Sequence, residues 1–168
     1  MLNWRDVVLF LTSLGSLEVA CSFFEYSDRR NVWRMAREYA DRVGKPMLNV
    51  GCGHELSYLG DYNLDIKRDI ILPNHVRASV YKIPFPDKYF GSVFASHVIE
   101  HLENPKKALE EMSRVGERVF VLTPLPFKPS TWLNPDHRWV FVGQYKIRNN
   151  PLLNWTLLGL AIYFVGKY

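Results

Sequence analysis

The sequence predicts an α/β domain of three layers built on a largely parallel sheet. Residues 47–50, 92–96 and 118–124 are near-continuous apolar runs, as expected of strands covered on both faces. Helical patterns alternate with these runs, the order expected of parallel strands joined by crossovers. A length of 168 residues is ample for one core and short for two. Hydrophobic content of 48% with 23% charged residues is ordinary globular composition, and 14% aromatic residues argue against disorder.

The first element is a helix over residues 29–43. Val32, Met35, Ala36, Tyr39, Ala40 and Val43 form one apolar stripe, while Gly44 and Pro46 end it. Before it, residues 7–17 form an apolar run of 11 interrupted by Thr12, Ser13, Gly15 and Ser16. Glu18 and Asp6 spoil its resemblance to a secretory leader ending at Cys21, and neither this run nor the 12 apolar residues 155–166 reaches the ~20 needed to span a bilayer. Either could lie flat on a membrane surface, although burial of a terminal element is the expectation.

The strand at 47–50 runs straight into Gly51-Cys52-Gly53. Only nine residues separate Gly53 from Asn63, too few for a full crossover helix. Two short apolar stretches, 64–72 and 76–83, flank the turn signal Pro73-Asn74, and Pro84-Phe85-Pro86-Asp87 must be loop. Strand 92–96 leads into a short helix near 97–102. Asn104 then caps a helix whose first residue is Pro105, whose stripe is Ala108, Leu109, Met112 and Val115, and which Gly116 closes. After the strand at 118–124, four prolines make an irregular segment rich in Trp132, His137 and Trp139.

Chemistry concentrates where the first two strands end. Gly51 and Gly53 carry no Cβ to hold a ligand off the backbone, and Asp65 at the tip of the next strand can accept hydrogen bonds from both hydroxyls of a ribose. A dinucleotide would require a third glycine opening a long helix, and none has room, so a cofactor with a sulfonium and a carboxylate fits better. His97-Val98-Ile99-Glu100-His101 matches H-x-x-E-H, a zinc-protease pattern. Here it directly follows a buried strand and lacks a third ligand, so no metal is expected.

Charge and cysteines bound the partners. The net charge of +4 arises wholly after residue 124, where Lys128, Arg138, Lys146, Arg148 and Lys167 face only Asp136. That excess suits phosphate or anionic lipid, yet it is sparse and has no aromatic stacking platform, so nucleic acid is not expected as a partner. Cys21 and Cys52 do not make a disulfide framework, so the expected location is cytoplasmic, with a membrane-surface position left open.

The ordered series of Leu48-Asn49-Val50-Gly51-Cys52-Gly53, Asn63-Leu64-Asp65-Ile66, Ile83-Pro84-Phe85-Pro86-Asp87-Lys88-Tyr89-Phe90, residues 95–102 and Asn104-Pro105-Lys106-Lys107-Ala108-Leu109 resembles a class I S-adenosylmethionine-dependent methyltransferase of the type 11 group. The short link from Gly53 to Asn63 is similar to a subgroup found near surface-polysaccharide genes. The resemblance implies a Rossmann-like domain spanning 1–168, with an N-terminal helical segment (1–46), a cofactor-binding core (47–124) and a basic, aromatic segment (125–168) serving the substrate side or an interface. It also implies that Asn49, Gly51, Cys52 and Gly53 cradle the methionine part of S-adenosylmethionine and that Asp65 holds the ribose. Ile66, Ser79 and Val80 would border the adenine, while Ser96 and His97 would close the methionine side.

The family commonly carries aspartate where this chain has Asn49, Ser79 and Gly91. The segment after Thr123 is short for the usual helix and hairpin, so the sheet is expected to be reduced at its C-terminal end or completed by a second copy. Methyl transfer to a small-molecule, glycan or lipid-linked acceptor is the implied activity, with His97, His101 and His137 as candidate bases. The alternative is a methyltransferase fold kept as a binding module or partner subunit.

Overall fold

The computed structural model describes residues 4–143, 145–150, 152–154 and 158. These form two compact units, one over Ser27–Thr123 and the other combining Met1–Tyr26 with Pro124–Tyr168. The elements in order are α1 (Trp4–Val43), β1 (Met47–Val50), β2 (Tyr62–Asp65), β3 (His75–Arg77), β4 (Phe90–Ser96), a 3₁₀ turn (Ile99–His101), α2 (Pro105–Val115), β5 (Gly116–Leu122), α3 (Pro129–Leu133), β6 (Trp139–Val142) and β7 (Tyr145–Arg148).

The first unit contains a five-stranded sheet in the order β3-β2-β1-β4-β5, every neighbouring pair parallel. This is the expected α/β class. Among the described residues the sheet ends at β5, and β6 and β7 form an antiparallel ribbon of their own. Both central strands, β1 and β4, are buried along their whole length, which explains their unbroken apolar sequence. No helix lies between Gly53 and β2.

One expectation is corrected at the N-terminus. The helix read as beginning at residue 29 is a single helix of 40 residues, and it absorbs the apolar run before it. No proline interrupts residues 4–43, and Thr12, Ser13 and Ser16 return their hydroxyls to carbonyls three or four residues earlier, so nothing there breaks the helix. Taken whole, α1 is long and apolar enough to cross a membrane, whereas the run counted only as far as Leu17 fell short.

The end of α1 packs on the sheet. Ala36 and Ala40 meet Met47, Tyr58 and Phe94, with Val32, Trp33 and Phe120 around them. Ser92 donates to the Ala36 carbonyl at 2.7 Å. Gly91 makes this approach possible: a Cβ there would sit 2.6 Å from a Val43 methyl and 3.0 Å from the Ala40 Cα. The missing acid at position 91 therefore has a packing cause. Gly44, at φ +65°, ends the helix as expected.

The eight residues between the glycine loop and β2, 54–61, are pinned closely. Trp33 Nε1 and Arg37 Nη2 both donate to the Leu59 carbonyl, and the Asp61 carboxylate takes Arg37 Nη1 and the Met47 amide, each at 2.7 Å. Fully buried Asn63 binds the Gly60 amide and carbonyl and the Pro73 carbonyl. α2 has the capping the sequence announces: Asn104 accepts from the Lys107 amide, Pro105 is the first residue, and Ala108, Met112 and Val115 are buried. At the amino ends of the strands, Tyr62, Phe85, Tyr89 and Phe90 stack edge to face with centroids 4.8–6.1 Å apart. Arg114 closes the 83–87 loop beside them through the Ile83 and Phe85 carbonyls, Asp87 and Glu111.

Within the second unit, Glu25 accepts from the Leu125 amide and from Lys128 Nζ, and Glu18 accepts from the amide and hydroxyl of Ser130. The segment read as irregular contains α3 and the β6–β7 ribbon, whose turn includes Gly143 at φ +59°. Residues 155–157 and 159–166 of the second apolar run lie outside the described residues.

Candidate active site at the carboxyl ends of the strands

Parallel strands whose order reverses direction leave a crevice at the reversal, beyond their carboxyl ends. Here the chain winds outward from β1 to β2 and β3, then returns to place β4 on the other side of β1. Every cofactor residue anticipated from sequence falls at or just beyond the carboxyl end of one of these four strands. Asn49 is buried in β1, and Gly51, Cys52 and Gly53 follow that strand. Asp65 ends β2 with Ile66 next, Ser79 and Val80 follow β3, and Ser96 ends β4 with His97 next.

The glycine loop is fixed from beneath. Gly51 and Cys52 amides both donate to the Leu64 carbonyl, at 2.7 and 3.2 Å. Gly51 adopts φ +68° and Gly53 φ +52°, the left-handed region that favours glycine. The two glycines serve different purposes. A Cβ on Gly51 would run into the methyls of Val98, so this glycine lets the end of β4 close on the loop. A Cβ on Gly53 would meet nothing within 4 Å, so that side of the loop is open to a ligand.

Asp65 faces the same opening. Its Oδ2 accepts the Gly53 amide at 2.9 Å and its Oδ1 the Lys67 amide at 3.0 Å. Each carboxylate oxygen keeps a further lone pair for a hydroxyl donor. The Asp65 carbonyl accepts the Ala78 amide at 3.1 Å, which draws the 65–66 and 78–80 segments together. Ile66 is 68% exposed there, an apolar side chain with a free surface, while Val80 is buried and the Ser79 hydroxyl accepts the Tyr81 amide. On the β4 side, the Ser96 hydroxyl is buried with no hydrogen-bond partner among the described residues.

These features pass a test for S-adenosylmethionine on the molecule's own terms. An open glycine loop, a carboxylate with spare acceptor capacity, an exposed apolar side chain and an unpartnered buried hydroxyl stand at the carboxyl ends of β1, β2 and β4. Each corresponds to a part of that molecule.

Cys52 contributes no thiolate. Burial, and then the nearby Asp65 carboxylate, push its thiol up to about 11. The expected result is that iodoacetamide at pH 8 alkylates Cys52 in the folded protein far more slowly than in urea, as followed by peptide mass mapping. Comparable rates would refute the burial argument.

The candidate bases are placed differently. His97 takes φ +56° and donates its amide to the Leu122 carbonyl at 2.9 Å. Its Nδ1 is 3.6 Å from Glu100 Oε1, and His101 Nε2 is 3.9 Å from the same atom. Glu100, 1% exposed, thus stands between the two histidines and was given no role from sequence, although the H-x-x-E-H spacing contained the signal. The histidines of this pattern are not on an α-helix, since only a 3₁₀ turn covers Ile99–His101. His137 lies in the other unit. Its Nδ1 donates to the Thr131 carbonyl at 2.8 Å, and Nε2 is 3.2 Å from Asn134 Nδ2. Both ring nitrogens therefore help to hold the α3 segment.

Compared with known proteins, residues 48–118 match the family model for a methyltransferase domain. No curated protein and no solved structure matches the chain. The matched segment begins in β1 and ends in β5, so it contains the glycine loop, Asp65, the β4 end and α2. With that order of motifs on that sheet, residues 48–118 are similar to a methyltransferase domain.

Proposed function

We propose that the protein transfers a methyl group from S-adenosylmethionine directly to a small-molecule, glycan or lipid-linked acceptor. The observation that carries this reading is the pairing of the open Gly53 backbone with the Asp65 carboxylate, 2.9 Å from amide to oxygen. When bound, the cofactor supplies a methyl group on a positively charged sulfur, open to in-line displacement.

The residues of the chain supply position rather than covalent chemistry. Asp65 accepts the ribose hydroxyls, and its own two amide donors hold it in the required orientation. Ile66 and the 78–80 segment cover the adenine, and Ser79 retains a hydroxyl hydrogen to offer it. Gly51 and Gly53 admit the methionine part, and the Ser96 hydroxyl gains there the partner it lacks. Holding donor and acceptor at contact geometry accounts for ~7–11 kcal/mol of a barrier. At an oxygen or nitrogen acceptor, His97 or His101 takes the released proton, and both rings stand within 4 Å of Glu100 Oε1.

Asn49 and Ser79 stand where the family commonly has acids, so cofactor affinity is expected to be modest. Titration calorimetry with S-adenosylmethionine and S-adenosylhomocysteine tests the reading. Saturable binding with one site per chain is the expected outcome. No heat at millimolar cofactor, from protein with a cooperative thermal transition, would sink it and leave the fold as a scaffold.

A further inference from the structure

The exposed apolar surface of this protein is unevenly distributed. Nineteen large apolar side chains are exposed among the described residues, and only Met35, Leu56, Ile66, Ile71 and Tyr89 belong to the Ser27–Thr123 unit. The other fourteen are in the smaller unit, eight of them on α1 between Val8 and Tyr26. An exposed patch of this extent marks an interaction surface.

The face has a definite composition. Val7, Phe10, Leu14, Glu18, Cys21 and Glu25 recur at three- and four-residue spacing and are the covered stripe of this stretch. The two charged residues of that stripe are engaged with the 125–130 segment. The opposite face carries Val8, Leu9, Val19 and Phe23, the last two about 70% exposed, and no charge from residue 7 to residue 24. Its hydroxyls, on Thr12, Ser13 and Ser16, bond to the helix's own carbonyls and so present no unmet donor. At 1.5 Å per residue the face is about 25 Å long.

We propose that this half of α1 lies in the surface of a lipid bilayer, its Val8, Leu9, Val19 and Phe23 face sunk among the acyl chains. Lipid is favoured over a second copy by charge as well as by apolarity. Among the described residues of this unit Arg5, Arg138, Lys146 and Arg148 are exposed and Asp136 is the one acid exposed against them, a balance that suits anionic headgroups. On β7 the basic pair alternates with exposed Tyr145 and Ile147, and Leu152 and Leu153 follow. An in-plane position is favoured over a crossing one because Glu18 and Glu25, with Lys128 and the amides of 125–130, run along the covered stripe. A crossing helix would carry that polar strip into hydrocarbon. The inference stands apart from the cofactor reading, because no residue of the crevice enters it.

The test uses the full chain. Flotation with phosphatidylcholine vesicles containing about one quarter phosphatidylglycerol is expected to carry the protein upward, less so with phosphatidylcholine alone. Combined Leu9→Glu, Val19→Glu and Phe23→Glu is expected to cut partitioning at least about tenfold with the thermal transition unchanged. Because that variant could misfold, a second measurement places single cysteines at 9, 12, 16, 19 and 23, and at 14 and 18, in a Cys21→Ser, Cys52→Ser background. Fluorophores at the first five positions are expected to be quenched by acyl-chain quenchers and those at 14 and 18 spared. Three outcomes overturn the proposal: no vesicle binding by the wild type, quenching that rises and falls along the chain without helical period, or a dimer in sedimentation that protects these positions without lipid.

Discussion

Asp65→Ala is expected to weaken S-adenosylmethionine binding about 100-fold or more while the protein remains folded. Two hydrogen bonds from ribose hydroxyls to an ionised carboxylate contribute about 1.5–3 kcal/mol each, and 1.4 kcal/mol is a factor of ten. The same substitution removes the acceptors of the Gly53 and Lys67 amides. Both amides belong to partly exposed loops that water can reach, so the stability cost is about 1–2 kcal/mol. Asp65→Asn keeps one acceptor oxygen and is expected to fall between alanine and wild type. Calorimetry for affinity and a thermal melt for stability separate the two effects. Binding left unchanged by Asp65→Ala would refute the ribose assignment, whatever the melt shows.

The legibility of Asp65 had a physical origin. It ends a strand and accepts the amides of Gly53 and Lys67, and strand ends of that geometry use few residue types. The same holds for Asn104, whose capping role depends only on the next three residues, and for β1 and β4, whose apolar runs follow from burial on both faces. The start of α1 is hidden in the sequence for the opposite reason. Helical periodicity is visible when apolar and polar faces differ, and residues 7–24 are apolar nearly all round, so they gave a run rather than a stripe. The β6–β7 ribbon was lost among prolines, although Trp139-Val140-Phe141-Val142-Gly143 ends on a glycine suited to its turn. Gly91 was read as a missing acid. Its actual constraint is the approach of Ala40 and Val43, a long-range contact that no local pattern encodes. Glu100 does not stand out in the sequence because its neighbours are set by a turn that buries it, not by helical spacing.

Gly60→Ala is expected to destabilise the domain by about 3 kcal/mol or more, and Gly53→Ala to spare the fold and impair cofactor binding. The contrast rests on what a methyl group would meet. At Gly60 it would lie 2.7 Å from the Tyr62 carbonyl oxygen, 2.8 Å from the Asn49 amide nitrogen and 2.8 Å from the Met47 carbonyl oxygen. All three are backbone atoms of strands β1 and β2 at the centre of the sheet, so the link must move instead. Moving it strains the Leu59 carbonyl's bonds to Trp33 and Arg37, the Asp61 pairing with Arg37 and Met47, and the Gly60 bonds to Asn63. Overpacking of this kind costs about 1–3 kcal/mol, and each hydrogen bond lost adds about 1. At Gly53 the methyl would meet open space, leaving only the left-handed backbone, φ +52°, at a cost of about 1–2 kcal/mol. That space is where the methionine part of the cofactor is proposed to lie. Denaturant melts and calorimetry on the two variants should therefore give opposite rankings, Gly60→Ala the lower in stability and Gly53→Ala the lower in affinity per folded molecule. Equal losses of stability would show that Gly53 is held by the fold rather than kept open for a ligand.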